Sequence, residues 1–162
     1  MMIRKCTVED VDSLRIFVNE CKPLELHTPF TYWAIFNYFS NLCFLMIEEE
    51  KIIGFISGVR SSLDKDIVYL WQIGISKDYR GKNYAFLLID HFIKAVIGLD
   101  CNKIQVSISP ENQSSYNAFT KYTKENSFSF VKIGEVKYYD QLSDKKEYEL
   151  LYQIEFDGPQ IL

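Results

Sequence analysis

Hydrophobic positions along the chain follow two different periods, and the changes of period separate strands from helices. Runs rich in β-branched and aromatic residues predict seven strands. Their expected positions are residues 3–6, 44–47, 52–59, 68–75, 104–108, from 128 onward and 148–156. Apolar residues repeated every three or four positions predict four helices, at residues 8–21, 31–39, 84–97 and 114–126. The resulting order, β-α-α-β-β-β-α-β-α-β-β, indicates an α/β domain.

Polar residues and helix breakers mark the ends of these elements. Thr7, followed by acids, predicts the N-cap of the first helix, and we expect Thr31 to cap the second. Pro29 breaks the connection before it. Residues 48–51 form a hairpin turn whose adjacent carboxylates diverge, which is typical of a solvated tip and not of a metal site. We expect residues 138–146 to form a mobile connection between the last two strands.

Composition excludes several classes of function. The 162 residues are 48% hydrophobic and 15% aromatic, which indicates one globular domain over residues 1–162. A net charge of −4 argues against general nucleic-acid binding, so an anionic ligand needs a local basic patch. There is no signal-peptide pattern and no apolar run long enough for a membrane span. We therefore expect a cytoplasmic protein without nucleic-acid or membrane partners.

The side chains that often bind metals are scattered along this chain. Its four cysteines show no metal-type spacing, and each lies in or beside an apolar pattern. We expect them to be buried free thiols, neither disulfides nor a nucleophile. His27 and His91 are also isolated, so no metal site is expected.

The segment that points most directly to chemistry follows the fourth predicted strand. Arg80, Gly81 and Lys82 lie where the third helix begins. The first turn of a helix has free N–H groups and the positive end of the dipole, so it binds anions. Glycine lets the backbone approach a phosphate, and the two cations strengthen the field. This pattern predicts a pyrophosphate cradle for a nucleotide-bearing cofactor, and the alternative is an ordinary solvated turn.

The same segment resembles motif A of the GNAT acetyltransferases, Arg/Gln-x-x-Gly-x-Gly/Ala. Arg80 and Ala85 fit the motif, while Asn83 stands where the family has glycine, and Asn tolerates a left-handed backbone. The resemblance implies a central, mostly antiparallel mixed sheet of about seven strands flanked by four helices. It also implies acetyl-CoA as co-substrate and no metal. The implied cofactor-binding residues are Ile73, Gly74, Ile75, Arg80, Gly81, Lys82, Asn83, Tyr84, Ala85 and Asn112.

Five segments, which follow one another in the same order as in one GNAT subfamily, make the resemblance more specific. They are residues 24–32, 54–60, 71–75, 109–119 and 146–154. Together they resemble the 2,4-diaminobutyrate acetyltransferases of ectoine biosynthesis over about residues 3–156. That resemblance implies a substrate pocket lined by Glu25, Phe30, Trp71 and Lys146. Glu25 replaces the family's Asp, Phe30 replaces its Tyr, and Lys146 replaces its His. The expected acceptor is therefore a small diamino acid or a related amine. Which of its nitrogens is acetylated is left undecided.

Amide formation from a thioester needs few groups. The resemblance places a backbone donor near Ile73, which polarises the thioester carbonyl. An aliphatic amine has a pKa of about 10.4, so Glu25 is our candidate for holding it or relaying its proton. Tyr122 is the candidate proton donor to the leaving thiolate, with Tyr116 as an alternative. The competing interpretations are that Glu25 is a plain loop acid, that Trp71 is a core residue, and that both tyrosines are helix-packing residues.

Two other functions remain open at this point. The acceptor could be a protein or peptide amine, for which we expect an open groove where Glu25 and Lys146 meet. The chain could also be a non-catalytic acyl-CoA-binding module, an alternative suggested by Asn83 and by the changed pocket residues. The family resemblance further implies a homodimer formed through the last strands.

Overall fold

The computed structural model describes residues 1–156, which contain a seven-stranded sheet and four α-helices. The strands are β1 (Met2–Lys5), β2 (Cys43–Glu48), β3 (Lys51–Arg60), β4 (Ile67–Ile75), β5 (Lys103–Ile108), β6 (Ser129–Asp140) and β7 (Lys145–Glu155). The helices are α1 (Val11–Glu20), α2 (Pro29–Tyr38), α3 (Tyr84–Ile97) and α4 (Gln113–Glu125). Short 3₁₀ turns precede α1, β2 and the segment that leads into α3. The predicted order of elements is confirmed.

The strands lie in the order β1-β2-β3-β4-β5-β7-β6, and every neighbouring pair is antiparallel except β4 and β5. The parallel ladder joins Ile67–Leu70 to Lys103–Val106 and extends no further. Beyond Leu70, β4 pairs with β3 alone, and beyond Val106, β5 pairs with β7 alone. The sheet therefore opens into a wedge between the carboxyl ends of β4 and β5.

A β-bulge marks the point where the wedge begins. Ser57 pairs with Gln72 and Gly58 pairs with Leu70, so Trp71 is the extra residue on β4. Side chains alternate across a strand, and an extra residue interrupts that alternation. As a result Trp71 and Gln72 both reach the α1–α2 face of the sheet.

The sheet separates two hydrophobic clusters. The larger lies under α3 and α4 and includes Phe92 and Phe119, which are fully buried. The smaller lies under α1 and α2 and includes Leu14 and Tyr32. Packing on both faces holds the central strands rigidly, so the wedge is a preformed feature of the fold.

All four cysteines are buried and none forms a disulfide, as the apolar patterns predicted. Burial raises the pKa of the Cys43 thiol to about 12 and also raises the pKa of Cys6, Cys21 and Cys101. Within residues 1–156, no helix combines the length and apolar character that a membrane crossing requires. The same residues contain no cluster of three or more metal-ligating side chains.

Two local predictions were wrong. Thr28, not Thr31, caps α2, because its Oγ1 accepts from the backbone N of Thr31 at 3.2 Å. Pro29 then occupies the first helical turn, where its fixed φ suits the helix and its missing N–H is no loss. The segment predicted as a mobile connection is mostly a regular hairpin, since β6 runs to Asp140 and β7 starts at Lys145. Both faces of this hairpin end are exposed, so the sequence shows no alternation there.

Gly58 allows α3 to approach the sheet closely. A Cβ at this position would lie 2.5 Å from Cζ of Phe92 and 2.8 Å from the carbonyl oxygen of Tyr69. We expect Gly58→Ala to lower the free energy of unfolding by about 1–3 kcal/mol through overpacking. Urea denaturation measures the change. Gly134→Ala is the matched control, because nothing lies within 4 Å of its added methyl group. Equal losses in the two variants would contradict this packing argument.

Candidate active site

The backbone of β4 presents polar groups to the wedge beyond the end of its ladder with β5. The N–H of Ser76 donates to the carbonyl of Ile53 at 2.8 Å, which fixes the alternation of the β3–β4 ladder. Ile73 and Ile75 therefore direct their N–H and C=O groups away from β3 and into the wedge. Gly74 directs its own groups toward β3. Of the three backbone positions implied for the cofactor, two face the wedge and Gly74 does not.

The turn before α3 forms a cradle of free N–H groups. Gly81 has φ 76° and Asn83 has φ 67°, so both adopt the left-handed conformation, as expected for Asn83. Within the described chain, the N–H groups of residues 81–86 donate to no protein acceptor, and no side chain caps the helix. These groups include those of Tyr84 and Ala85. Their concentration at the positive end of α3 makes an anion site.

Two lysines flank this cradle. Lys82 lies with its Nζ 5.3 Å from the centroid of the Tyr79 ring. Lys121 reaches across from α4 and donates to Oδ1 of Asn83 at 2.8 Å. The sequence patterns did not predict Lys121, because it meets Asn83 only through the packing of α4 on α3. The cradle is thus flanked by one lysine from its own turn and by one from α4.

Arg80 is placed differently from the expectation. Its Nε donates to the carbonyl of Ile75 at 3.0 Å, and its Nη2 donates to the carbonyl of Lys22 at 3.1 Å. The guanidinium therefore engages the connection between α1 and α2 and the end of β4. The backbone of Arg80 leads into the cradle, but its charged group is occupied elsewhere.

The α1–α2 connection lies against the bulge and carries Glu25. Gln72 is buried, and its Nε2 donates to the carbonyl of Glu25 at 2.8 Å. The hydroxyl of Tyr32 donates to Oε1 of the same Gln72 at 3.2 Å. The His27 ring stacks on Trp71 with centroids 4.5 Å apart. The structure thus brings Glu25 and Trp71 to one region, and it adds His27, Tyr32 and Gln72.

Sequence patterns missed Gln72 and His27 for different reasons. Gln72 is an amide within an apolar strand, and that position was a usable signal, since a buried amide needs hydrogen-bond partners. His27 carries no such signal, because its partner Trp71 is distant in sequence. A further polar pair on this face joins Tyr69 to Ser107, whose hydroxyl oxygens are 2.8 Å apart.

Phe30 and Lys146 are not brought into this group. Phe30 is 81% exposed in the first turn of α2. β7 has no bulge, so its side chains alternate and Lys146 shares a face with Ile154. Ile154 packs in the α3–α4 cluster, whereas Trp71 and Glu25 lie on the α1–α2 side. No hydrogen bond or ion pair joins Glu25 to Lys146 within residues 1–156, so the expected meeting is not seen there.

Tyr122 and Asn112 have structural partners. Tyr122 is 2% exposed, and its hydroxyl donates to Oδ1 of Asp90 at 3.0 Å. Burial and the Asp90 carboxylate raise its pKa, which argues against Tyr122 as the proton donor to thiolate. Tyr116 is 37% exposed in the first turn of α4 and remains available. Asn112 caps α4 by accepting from the N–H of Ser115 at 3.2 Å.

Comparison with known proteins identifies the family. Residues 11–123 match the model of the acetyltransferase (GNAT) family, so the chain belongs to that family. The L-2,4-diaminobutyric acid acetyltransferase of Halalkalibacterium halodurans is 30% identical over 123 residues, which cover 76% of this chain and 65% of that protein. The protein of the same name from Vibrio cholerae is 24% identical over 76% of this chain and 72% of its own length. The chain thus spans about two thirds of these relatives.

Solved structures confirm the fold. Diaminobutyrate acetyltransferase from Paenibacillus lautus, in complex with its substrate L-2,4-diaminobutyric acid and coenzyme A, superposes with a TM-score of 0.84 at 24% identity. The match covers 98% of this chain and 97% of that one. The ribosomal-protein-S18-alanine N-acetyltransferase from Escherichia coli gives a TM-score of 0.76 at 13% identity, over 99% of this chain and 97% of its own.

The left-handed backbone at Asn83 gives a test of the cradle. A β-branched residue strongly disfavours this conformation, so Asn83→Val is expected to distort the turn and to weaken binding of coenzyme A about tenfold. Asn83→Gly keeps the conformation and is expected to bind within about twofold of the original chain. Isothermal titration with coenzyme A measures both affinities. Equal affinity of the Val and Gly variants would exclude a role for this turn.

Proposed function

We propose that this chain is an acetyl-CoA-dependent N-acetyltransferase that acts on a primary amine of a small diamino acid, with 2,4-diaminobutyrate as the first candidate. The observation that carries the proposal is the joint position of three features. Free N–H groups lie at the start of α3, backbone groups of β4 face the wedge, and the Glu25 connection lies beside the bulge. These are the parts that acyl transfer from a thioester to an amine requires.

The cofactor side of this proposal uses mainly backbone groups. The N–H groups of residues 81–86 bind the pyrophosphate, and Lys82 and Lys121 add positive charge. Ile73 and the N–H of Ile75 offer the wedge-facing groups that hold the pantetheine arm. The N–H of Ile73 donates to the thioester carbonyl and stabilises the negative charge that develops on its oxygen.

The acceptor side uses the residues beside the bulge. An aliphatic amine has a pKa of about 10.4, so it arrives protonated and must lose a proton before it attacks. The Glu25 carboxylate is exposed, which lets it hold the ammonium group and pass its proton to solvent. Stacked His27 and Trp71 provide a flat wall beside it. Tyr116 is the remaining candidate for protonating the thiolate, which leaves readily without an acid.

The names of the two curated relatives and the substrate in the Paenibacillus lautus structure support diaminobutyrate. With this acceptor, we infer that the reaction belongs to ectoine biosynthesis. We further infer one catalytic domain over residues 1–162 and a cytoplasmic location.

A peptide amine is the second candidate acceptor. Lys146 lies on the opposite face and Phe30 is exposed, so neither closes the acceptor side. An open acceptor side also admits a peptide terminus. An open acceptor side is therefore compatible with either acceptor. Peptide amines belong in the substrate panel for that reason.

Thiol release from acetyl-CoA tests the reaction. We expect turnover with 2,4-diaminobutyrate above that with ornithine, lysine or short peptides. Glu25→Gln is expected to lower kcat/KM for the amine at least about tenfold, because an ammonium group loses its charged partner, while KM for acetyl-CoA changes little. Glu20→Gln is the matched control, since it removes an exposed acid at the end of α1.

Three outcomes would change the proposal. Turnover with peptides alone would establish the second acceptor. Tight binding of coenzyme A without release for any amine would indicate a non-catalytic acyl-CoA-binding module. Equal losses in Glu25→Gln and Glu20→Gln would remove Glu25 from the acceptor site.

We also propose a homodimer that forms through β6. This strand is twelve residues long and lies at the edge of the sheet. Val131 is 50% exposed and Ile133 is 45% exposed. Long apolar edge strands favour association with another chain.

Light scattering coupled to size-exclusion chromatography tests this association. We expect a dimeric mass for the original chain and a monomeric mass for Ile133→Lys, because a buried lysine disfavours strand association. Leu63→Lys is the control and is expected to stay dimeric, since Leu63 is 98% exposed in a loop away from β6. A monomeric original chain at micromolar concentration would refute the dimer.

A further inference from the structure

Arg80 is the first residue of the phosphate-binding motif, yet its guanidinium contacts the α1–α2 connection, which carries the proposed acceptor residue Glu25. Nε donates to the carbonyl of Ile75 at 3.0 Å, and Nη2 donates to the carbonyl of Lys22 at 3.1 Å. Nη2 also lies 3.7 Å from Sγ of Cys21. Three acceptors from the end of β4 and the end of α1 thus surround one planar cation.

These contacts attach the α1–α2 connection to β4. Lys22 lies three residues before Glu25, and Ile75 is the last residue of β4. A planar fork with fixed donor directions can bridge two carbonyl groups at once, which a lysine ammonium on a flexible chain does less well. Arg80 therefore fixes the start of the connection relative to the wedge-facing backbone.

Two further contacts hold the same connection. A Cβ on Gly74 would lie 2.5 Å from Cδ1 of Leu24, so the bare glycine lets Leu24 rest on the strand. Gln72 binds the carbonyl of Glu25 at 2.8 Å. The α1–α2 connection is thus attached to β4 at three points along the strand: at Gln72, at Gly74 and, through Arg80, at Ile75. The attachment through Arg80 is the one nearest the cradle.

We propose that Arg80 is a positioning residue for the acceptor amine and contributes little to phosphate binding. The proposal rests on the proposed function, because it takes the Glu25 connection as the acceptor site. To reach a phosphate in the cradle, the guanidinium would have to release the carbonyls of Lys22 and Ile75. Lys82 and Lys121 flank the cradle without such commitments to backbone carbonyls.

The substitution Arg80→Lys separates charge from geometry. It keeps a cation near the cradle and removes the fork, whereas Arg80→Ala removes both. We expect both variants to bind coenzyme A within about twofold of the original chain and to raise KM for the amine about tenfold. We also expect faster amide hydrogen exchange over residues 22–28, because the connection loses its attachment.

Lys82→Ala is the matched control with the opposite expected signature. It should weaken coenzyme A binding and leave hydrogen exchange over residues 22–28 unchanged. The opposite result would have three parts: Arg80→Ala weakens coenzyme A binding tenfold, Arg80→Lys restores that binding, and hydrogen exchange over residues 22–28 is unchanged in both variants. In that case the guanidinium binds the phosphate and the proposal is wrong.

The readouts separate this inference from the proposed function. Calorimetry with coenzyme A and hydrogen exchange need no turnover. An original chain that acetylates no amine would refute the proposed function, and exchange over residues 22–28 would still decide whether Arg80 holds the connection. If Arg80→Ala does not fold, Arg80→Lys carries the same comparison.

Discussion

The two central strands β4 and β5 are hydrogen-bonded over only four residue pairs, and then they separate. A longer ladder would pair the outward backbone groups of Ile73 and Ile75 with β5, whereas here the Ile75 carbonyl accepts from Arg80 instead. The bulge at Trp71 accompanies this separation and turns two consecutive side chains to one face. Because both faces of the sheet are packed, the opening cannot close by collapse. The cofactor side and the acceptor side of the site both depend on this interruption of the parallel ladder.

Much of the fold was predictable because its helices, strands and turns are determined by residues that lie close together in the sequence. The predicted third helix matches α3 at both ends, since its apolar stripe is continuous and its start is marked by Asn83. The hairpin of β2 and β3 was predictable from two apolar runs around an acidic turn. The cradle was predictable for the same reason, because its residues are consecutive in the chain.

The errors concern residues whose role is set by a distant partner. Lys146 was placed beside Glu25, but the register of β7 puts it on the other face. Tyr122 was considered an acid, but Asp90 on a neighbouring helix occupies its hydroxyl. Arg80 has a partner 58 residues earlier, at Lys22, which no local pattern reveals. The sequence thus predicted the parts of the site that lie together in the chain better than those brought together by packing.

The four buried thiols have a consequence for a protein whose proposed product is itself a thiol. Exchange between a thiol and a disulfide proceeds through the thiolate, and burial raises the pKa of every cysteine in this chain. Disulfides of coenzyme A therefore find no accessible thiolate on this protein. Cys21 lies next to Arg80, but it is only 3% exposed and burial still raises its pKa. Burial of all four thiols therefore disfavours exchange with disulfides of the proposed thiol product.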